Sequence, residues 1–343
     1  MEKCFVGLDV SKDETAVCVR SQAGEIVSSF KKVTDPDVLS KSLVAWLDQI
    51  DCIVLETGRM ANWLYNELAD QGLPIVCIDA RQAHAVLSQM HNKTDENDAA
   101  MLSELARTGF YKKIEVKSRL AQERRALLRA REVAIKSRMN AENTIRGLLA
   151  SFGVKLPKHL RPYELRVHKV IEGRPILADI ILPLLAIRTE SLRQAAVLTK
   201  EMKKHAATDE ACRRLMTIPG VGAVSAVTYV ATIDTPDRFR KSRSVGAYIG
   251  LTSRRYQSGD VDIGGRISRR GDRMLRTVLY EAANSLMCRV KSPECAELQA
   301  WATKLKQRTS HKKAVVALAR KLAVIMHAIW KDGTEFELKL RAA

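Results

Sequence analysis

Asp9 in GLDVSK, Glu56 in CIVLETG, and Asp95 and Asp98 in KTDENDA stand in the first third of a 343-residue chain. Asp95 and Asp98 are three apart, so on a helix both carboxylates share a face. Asp9 belongs to a first apolar strand, and Glu56 ends a later one. In an alternating fold such strand ends converge on one edge. Carboxylates brought together repel unless cations sit between them. Hard oxygen donors select Mg²⁺ or Mn²⁺, and two such ions can stabilise the attacking and leaving oxygens of phosphoryl transfer. Taken singly, each acid is better read as a helix cap or surface charge. As an ordered set, the metal-binding expectation is ahead. Asp13, Glu14, Asp79 and Glu96 are expected to be surface or capping groups.

A second cluster runs from Arg238 to Arg276, with eleven Lys/Arg against three acids, punctuated by glycines. Ser258 lies there between Gln257 and Gly259, in an expected turn after Arg254 and Arg255. A serine hydroxyl is a poor nucleophile unless a base or metal takes its proton. Arginines beside it could hold a scissile phosphate. By composition alone, a serine in a turn is usually only a turn serine.

The charge is divided. Residues 1–110 carry a net −7 and the remainder +25, within a chain total of +18. Acids on one domain and cations on the rest point to a metal site joined to a polyanion-binding body. Hydrophobic residues make up 46% of the chain, enough for a folded protein with two or three domains. No apolar run approaches a bilayer span, and the N-terminus reads as a strand, not a signal peptide. The expectation is therefore no membrane and a cytoplasmic protein. Seven cysteines without CxxC spacing fit reduced thiols better than disulfides or zinc.

The elements that must position these groups follow from pattern. CFVGLDV, ETAVCVR and EIVSSF read as a hairpin meander. A helix is expected from Asp35-Pro36 to about Gln49, then the strand CIVLE, a helix ANWLYNELAD closed by Gly72, the strand LPIVCID, and a helix ending at Gly109. Three strands followed by alternating helix and strand is the order of an α/β ribonuclease-H-like fold. From 111 to 206 strand signals disappear. Leu120, Leu127, Ala134, Ala141 and Leu148 recur every seven residues, with Leu128, Ile135 and Leu149 alongside, and arginines including Arg124 are expected on the solvated faces. With a second long helix to about Met202, this predicts an antiparallel coiled coil. Residues 207–343 open with LMTIPGVGAVSAVTYVATI, which predicts a helix-hairpin-helix. Gly220 and Gly222 would let its backbone approach a phosphate at a helix N-terminus. The four tryptophans are expected in the core. His84, His91 and His311 lack ligand spacing.

Together these motifs resemble the DEDD transposases of bacterial insertion sequences, the IS110 family and especially its IS1111 subgroup. GLDVSK, LETG and KTDENDA are similar to that family's RuvC-like metal domain. IPGVG and GLTSRRYQSGDVDIGGRISRRGDRMLR are similar to its C-terminal transposase domain. The resemblance spans nearly the whole chain. It implies a RuvC-like domain over 1–110, a coiled coil over 111–206 and a mainly α transposase domain over 207–343. It further implies Asp9, Glu56, Asp95 and Asp98 as a metal-binding tetrad and Ser258 as the nucleophile of a phosphoserine intermediate. Gln257 stands where many relatives have a second serine, while Thr252 and Ser253 are read as structural. Gly220, Gly222, Arg254, Arg255, Arg266, Arg269, Arg270 and Arg273 are the expected nucleic-acid contacts. The implied partners are donor and target DNA, a noncoding guide RNA, and further copies of the chain in a dimer or tetramer. The alternatives are a metal-dependent Holliday-junction nuclease in which Ser258 is inert, a sugar-kinase-like ATPase, which would need a second Gly-rich phosphate loop that this sequence does not show, and a noncatalytic DNA-binding protein.

Overall fold

A computed structural model describes residues 2–88, 94–157, 161–259 and 261–337, without the side chains of residues 82, 86 and 87. The chain divides into two compact units, residues 1–119 and 120–343. His91 lies outside the described residues.

The first unit begins with an antiparallel meander, β1 (Cys4–Val10), β2 (Glu14–Ser21) and β3 (Ile26–Val33). Next come α1 (Pro36–Ser42), β4 (Ile50–Glu56), α2 (Ala61–Asp70), β5 (Ile75–Ile78), α3 (Ala80–Leu87) and α4 (Asp95–Thr108). β4 pairs parallel with β1, and β5 parallel with β4, giving a mixed five-stranded sheet in the order β3-β2-β1-β4-β5. This arrangement is compatible with the expected ribonuclease-H-like order. The parallel strands are covered on both faces, which is why they read as continuous apolar runs. On one face Val6, Leu8, Ile53 and Leu55 pack with Leu39, Leu43 and Leu64 of α1 and α2. On the other, Phe5, Cys52 and Val54 pack with Leu102, Leu105 and Ala106 of α4. Gly7 lets α4 settle onto β1, since an added Cβ would collide with the Ala99 carbonyl oxygen and the Ser103 amide.

The helix expected to reach Gln49 instead stops at Ser42 and gives way to a 3₁₀ turn at Val44–Trp46. Asp35 caps its start, accepting the Asp37 and Val38 amides at 3.0 Å. Leu39 and Leu43 are both fully buried, and the tighter last turn closes the helix on the second of them.

The second unit comprises α5 (Arg119–Ser151), α6 (Tyr163–Ile171), α7 (Pro175–Thr208), α8 (Glu210–Met216), α9 (Ala223–Ile233), α10 (Ser244–Tyr248), β6 (Ser253–Ser258), β7 (Val261–Ile267), α11 (Arg273–Cys288), α12 (Ala296–Arg308) and α13 (His311–Asp332). α5 and α7 lie side by side and antiparallel. Arg131 Nε donates to Thr199 Oγ1 at 2.9 Å, Arg188 Nε donates to Glu142 Oε1 at 3.0 Å, and Ile145 and Leu149 pack with Ile181 and Leu185. The buried stripe of α5 is offset by one residue from most of the expected one. Leu120 is 50% exposed, while Ala121, Leu128, Ala141, Ile145 and Leu149 are buried. Arg124 is not on a solvated face: it is buried, with Nη2 2.6 Å from Asp209 Oδ2. A heptad count marks a stripe but not which flanking residue turns inward.

α9 is the centre of the second core, with every residue from Ala226 to Ile233 buried. Tyr229 donates to the Ala323 carbonyl of α13 at 2.7 Å, which satisfies its buried hydroxyl. α13 buries Leu318, Leu322 and Met326 in the same core. The β6–β7 ribbon stands where a turn was expected in a mainly α domain, and it places Ser258 at a strand end. Trp46 stacks on Phe30 and Trp330 meets Tyr229 edge-on, as core residues should. Trp63 and Trp301 differ from the expectation, each remaining 38% exposed. All seven cysteines are free. No helix among the described residues is long and apolar enough to cross a membrane.

Candidate active site: an acidic strand edge and an exposed serine ribbon

Side chains alternate along a strand, so Phe5, Gly7 and Asp9 share one face of β1. Cys52, Val54 and Glu56 share the same face of β4, the one covered by α4. Leu8 pairs with Leu55 in the parallel register. Asp9 and Glu56 are therefore neighbours on the next rung. On α4, Asp95, Asp98, Ala99 and Leu102 follow one helical stripe, with Ala99 and Leu102 fully buried. Phe5 packs against Leu102 and Leu105, and Gly7 meets the Ala99–Ser103 turn, so α4 runs opposite to β1. Ala99 also packs on Ala16, the cross-strand partner of Asp9. The first turn of α4, with Asp95 and Asp98, thus lies towards the end of the sheet that bears Asp9 and Glu56. Three elements change from apolar to acidic at the same end.

A lysine that the sequence reading missed stands in this row. Ala16 pairs with Lys31 of β3, and the Lys31 ammonium lies 3.0 Å from Asp95 Oδ2 and 2.9 Å from Glu96 Oε1. Glu96 and Asp95, in that order, raise the Lys31 pKa above its ordinary value, and Lys31 lowers that of Glu96. At the next strand, burial and the negative charge of Glu56 push the Cys77 thiol up to about 11. Period-2 alternation in β3 was the available signal for Lys31, but a lone strand lysine carries no mark of its partners. Among the described residues no three His, Cys, Asp or Glu side chains converge closely enough to hold a metal ion. The donor set nevertheless suits a hard divalent cation: all oxygen, on one edge, with an ammonium already standing at Asp95.

Ser258 ends β6 and pairs with Val261 across the ribbon. Every residue of β6 is exposed. Tyr256 and Ile263 form the next pair on the same face, so the serine is flanked there by apolar groups. Its hydroxyl has no hydrogen-bond partner among the described residues. On the opposite face Arg255 is held by Asp262 through two bonds, at 2.8 and 2.6 Å. Arg255, expected to contact nucleic acid, is thus already paired. Arg254 donates to the Ser268 carbonyl at 3.2 Å. Arg266, Arg269, Arg270 and Arg273 are exposed. The loop that carries Arg269 and Arg270 is clamped: an added Cβ at Gly250 would strike the Arg270 carbonyl oxygen, and Arg276 donates to the carbonyls of Ile249, Arg270 and Gly271 at 3.1, 2.8 and 3.1 Å. Those three carbonyls make Arg276 structural, and burial lowers its pKa.

The expected phosphate turn lies between α8 and α9. Gly220 has φ +89°, and an added Cβ there would come within 3.2 Å of the Ala282 carbonyl oxygen of α11. Its glycine is required by helix packing. Gly222 is exposed, with open space around it, at the N-terminus of α9.

Comparison with known proteins matches the two parts of the chain separately. A transposase family model of the DEDD IS110 type matches residues 6–153, and one described as "Transposase IS116/IS110/IS902 family" matches residues 212–300. The chain is 30% identical over 330 residues to the transposase for insertion sequence element IS1111A of Coxiella burnetii, covering 95% of this chain and 89% of that protein. It is 28% identical over 291 residues to the transposase for insertion sequence element IS1328 of Yersinia enterocolitica, covering 83% of this chain and 85% of that one. With the acids on one strand edge and both family segments in order, the chain belongs to the IS110 family of DEDD transposases.

Proposed function

We propose that this chain cuts and rejoins DNA through a phosphoserine intermediate, with Ser258 as nucleophile and Asp9, Glu56, Asp95 and Asp98 as ligands of Mg²⁺ or Mn²⁺. The Ser258 Oγ–phosphorus bond forms as the bond from phosphorus to the 3′-oxygen breaks. Ser258 gives up its proton, and the departing 3′-oxygen takes one. The reverse attack reseals a strand without nucleotide hydrolysis, because the phosphoester energy is kept. A bound divalent ion would offset charge developing on the phosphate oxygens.

The chain's own residues do the positioning. β1 and β4 hold Asp9 and Glu56 side by side on one rung, and α4 brings Asp95 and Asp98 to the same end. Lys31 would have to yield Asp95 when a metal enters. Arg254, Arg266, Arg269, Arg270 and Arg273 would take backbone phosphates around the ribbon, and Asp262 would have to release Arg255 for it to join them. The α9 N-terminus beyond Gly220 and Gly222 would take another, as a helix-hairpin-helix does. The reading includes a three-part organisation over 1–110, 111–206 and 207–343, with the middle part a coiled coil. It also includes a dimer or tetramer with a composite site, selection of donor and target by a noncoding guide RNA, and action in the cytoplasm at the bacterial nucleoid.

The observation that carries this reading is the shared turn from apolar to acidic at the ends of β1, β4 and α4. Its test is trapping on denaturing gels of a protein–DNA adduct formed with labelled DNA. Ser258→Ala and Asp98→Asn should each abolish the adduct. Cleavage without an adduct would make the chain a metal-only nuclease. No cleavage at all, with DNA binding unchanged in Asp95→Ala and Asp98→Ala, would leave a noncatalytic DNA-binding protein.

A further inference from the structure

A cleft of about 1440 Å³ opens in the second unit beside the Ser258 ribbon, between β7, the turn at 241–243, and α12 and α13. Among the described residues, eight Lys/Arg side chains line it and no carboxylate does. Its floor is apolar: Val316, Ala317 and Val324 of α13, with Trp301 of α12 at the wall. Trp301 remains 38% exposed, and the Lys321 ammonium stands over its ring, 4.9 Å from the centre. An exposed tryptophan in a wholly cationic cleft lacks the packing reason that accounts for Trp46 and Trp330.

The cations are presented by built structure. Lys241 and Arg243 flank Ser242, whose Oγ lies 2.9 Å from Nδ1 of the fully buried His327. His327 Nε2 lies 2.9 Å from the Pro236 carbonyl oxygen. That oxygen can only accept, so Nε2 carries the proton and Nδ1 accepts from Ser242. The turn is thereby pinned to the core. On the opposite wall, Arg320 lies along Gly246, where an added Cβ would stand 3.0 Å from Arg320 Nε and 3.1 Å from Cγ.

We propose that this cleft binds a single-stranded polynucleotide and stacks one unpaired base on Trp301, with Lys312, Lys313 and Arg320 taking the flanking phosphates. A duplex hides its base faces and cannot use the indole, whereas an unpaired base offers both a planar apolar face and a phosphate on either side. An acidic polypeptide offers the charge without the ring. The proposal rests on the reading of the chain as a nucleic-acid enzyme, and the test separates the two.

The test titrates the full chain with oligothymidylate and oligouridylate about a dozen nucleotides long, and with a duplex of equal length. Trp301→Ala should weaken single-strand binding about ten-fold or more and leave duplex binding unchanged. Trp301→Phe should keep most of the affinity while losing the fluorescence quench that the strand causes. Lys313→Ala should lower the salt slope of single-strand binding by about 0.7. A preference between the two sugars assigns the occupant to DNA or RNA, and supports the proposal either way. Unchanged single-strand binding in Trp301→Ala would overturn it. So would equal loss of single-strand and duplex binding, or a polyglutamate probe that quenches Trp301 as strongly as the oligonucleotides. Asp98→Asn should lose cleavage and keep this binding, so loss of the cleft result with cleavage intact removes only this inference.

Discussion

Asp9 and Glu56 continue strands whose preceding residues, Leu8 and Leu55, are fully buried, whereas Ser258 ends a strand on which every residue is exposed. The acids are placed by a core. Their positions follow from the parallel register of β1 and β4 and from the approach of α4 at Gly7. The serine is placed by a two-stranded ribbon, and an isolated ribbon of that kind is marginally stable in water. The first arrangement keeps repelling carboxylates in register without a ligand's help. The second leaves its hydroxyl free to be positioned by what it binds.

That contrast can be broken by substitution. The largest effect is expected from Asp98→Asn: DNA cleavage should fall about 10²–10³-fold, as for loss of one group that stabilises transition-state charge, while DNA binding in filter assays stays unchanged. A fall in binding to match would mean that the acidic edge positions DNA instead of reacting. Asp209→Ala comes next. It leaves the Arg124 guanidinium buried without its partner and removes the cap on the Cys212 amide. A loss of about 3 kcal/mol in denaturant unfolding of the second unit is expected, with the first unit unaffected. Burial works against the charge of Asp209, but the Cys212 amide and Arg124 outweigh it and hold the carboxyl below its ordinary value.

Gly7→Ala should cost about 1–3 kcal/mol in the first unit, through overpacking against α4. It should also reduce cleavage more than its stability loss explains, since it lifts Asp95 and Asp98 off the edge. If cleavage survives at full rate, the height of α4 does not set the site. His327 gives a smaller, pH-dependent effect. Burial lowers its pKa below the ordinary value, against the Pro236 carbonyl, which raises it. The unfolded chain therefore binds a proton more readily, and stability should fall as pH drops below ~6.5 through the folded pKa. Melting temperature measured across that range should lose this slope in His327→Asn. The smallest stability effect belongs to the ribbon. Asp262→Ala should leave the melting temperature unchanged, because Arg255 and Asp262 are both solvent-exposed. Releasing Arg255 should steepen the salt dependence of duplex binding by about one. Measurable destabilisation there would show that the ribbon is held by its ion pair, against the contrast drawn above.

Much of the acidic edge was legible in the residues. CFVGLDV and CIVLE are buried runs that end in an acid, and the i, i+3 spacing of Asp95 and Asp98 marks one helical face. Lys31 was not legible, because its importance comes from lying two strands across from Asp9, and that neighbour relation exists only in the sheet. Arg124 was misplaced because charge pattern favours solvent, while its burial depends on Asp209, 85 residues away. The ribbon was hidden by composition. Val261 and Ile263 alternate as a strand should, but the surrounding arginines and glycines read as loop. Trp301 sits on an apolar helical pattern and was read as core, and its exposure follows from which face of α12 the α13 helix covers.

The chain alone determined its family, its division of charge, the strand order of the first hundred residues and the acids that end its apolar runs, because these depend on local residue types and on periodicity. Which acids become neighbours, which arginines are sequestered in ion pairs and which aromatic faces a cationic cleft were decided only by tertiary packing. Each of those outcomes joins groups far apart in sequence, and the free energy that joins them comes from burial and register, which no short stretch of residues contains.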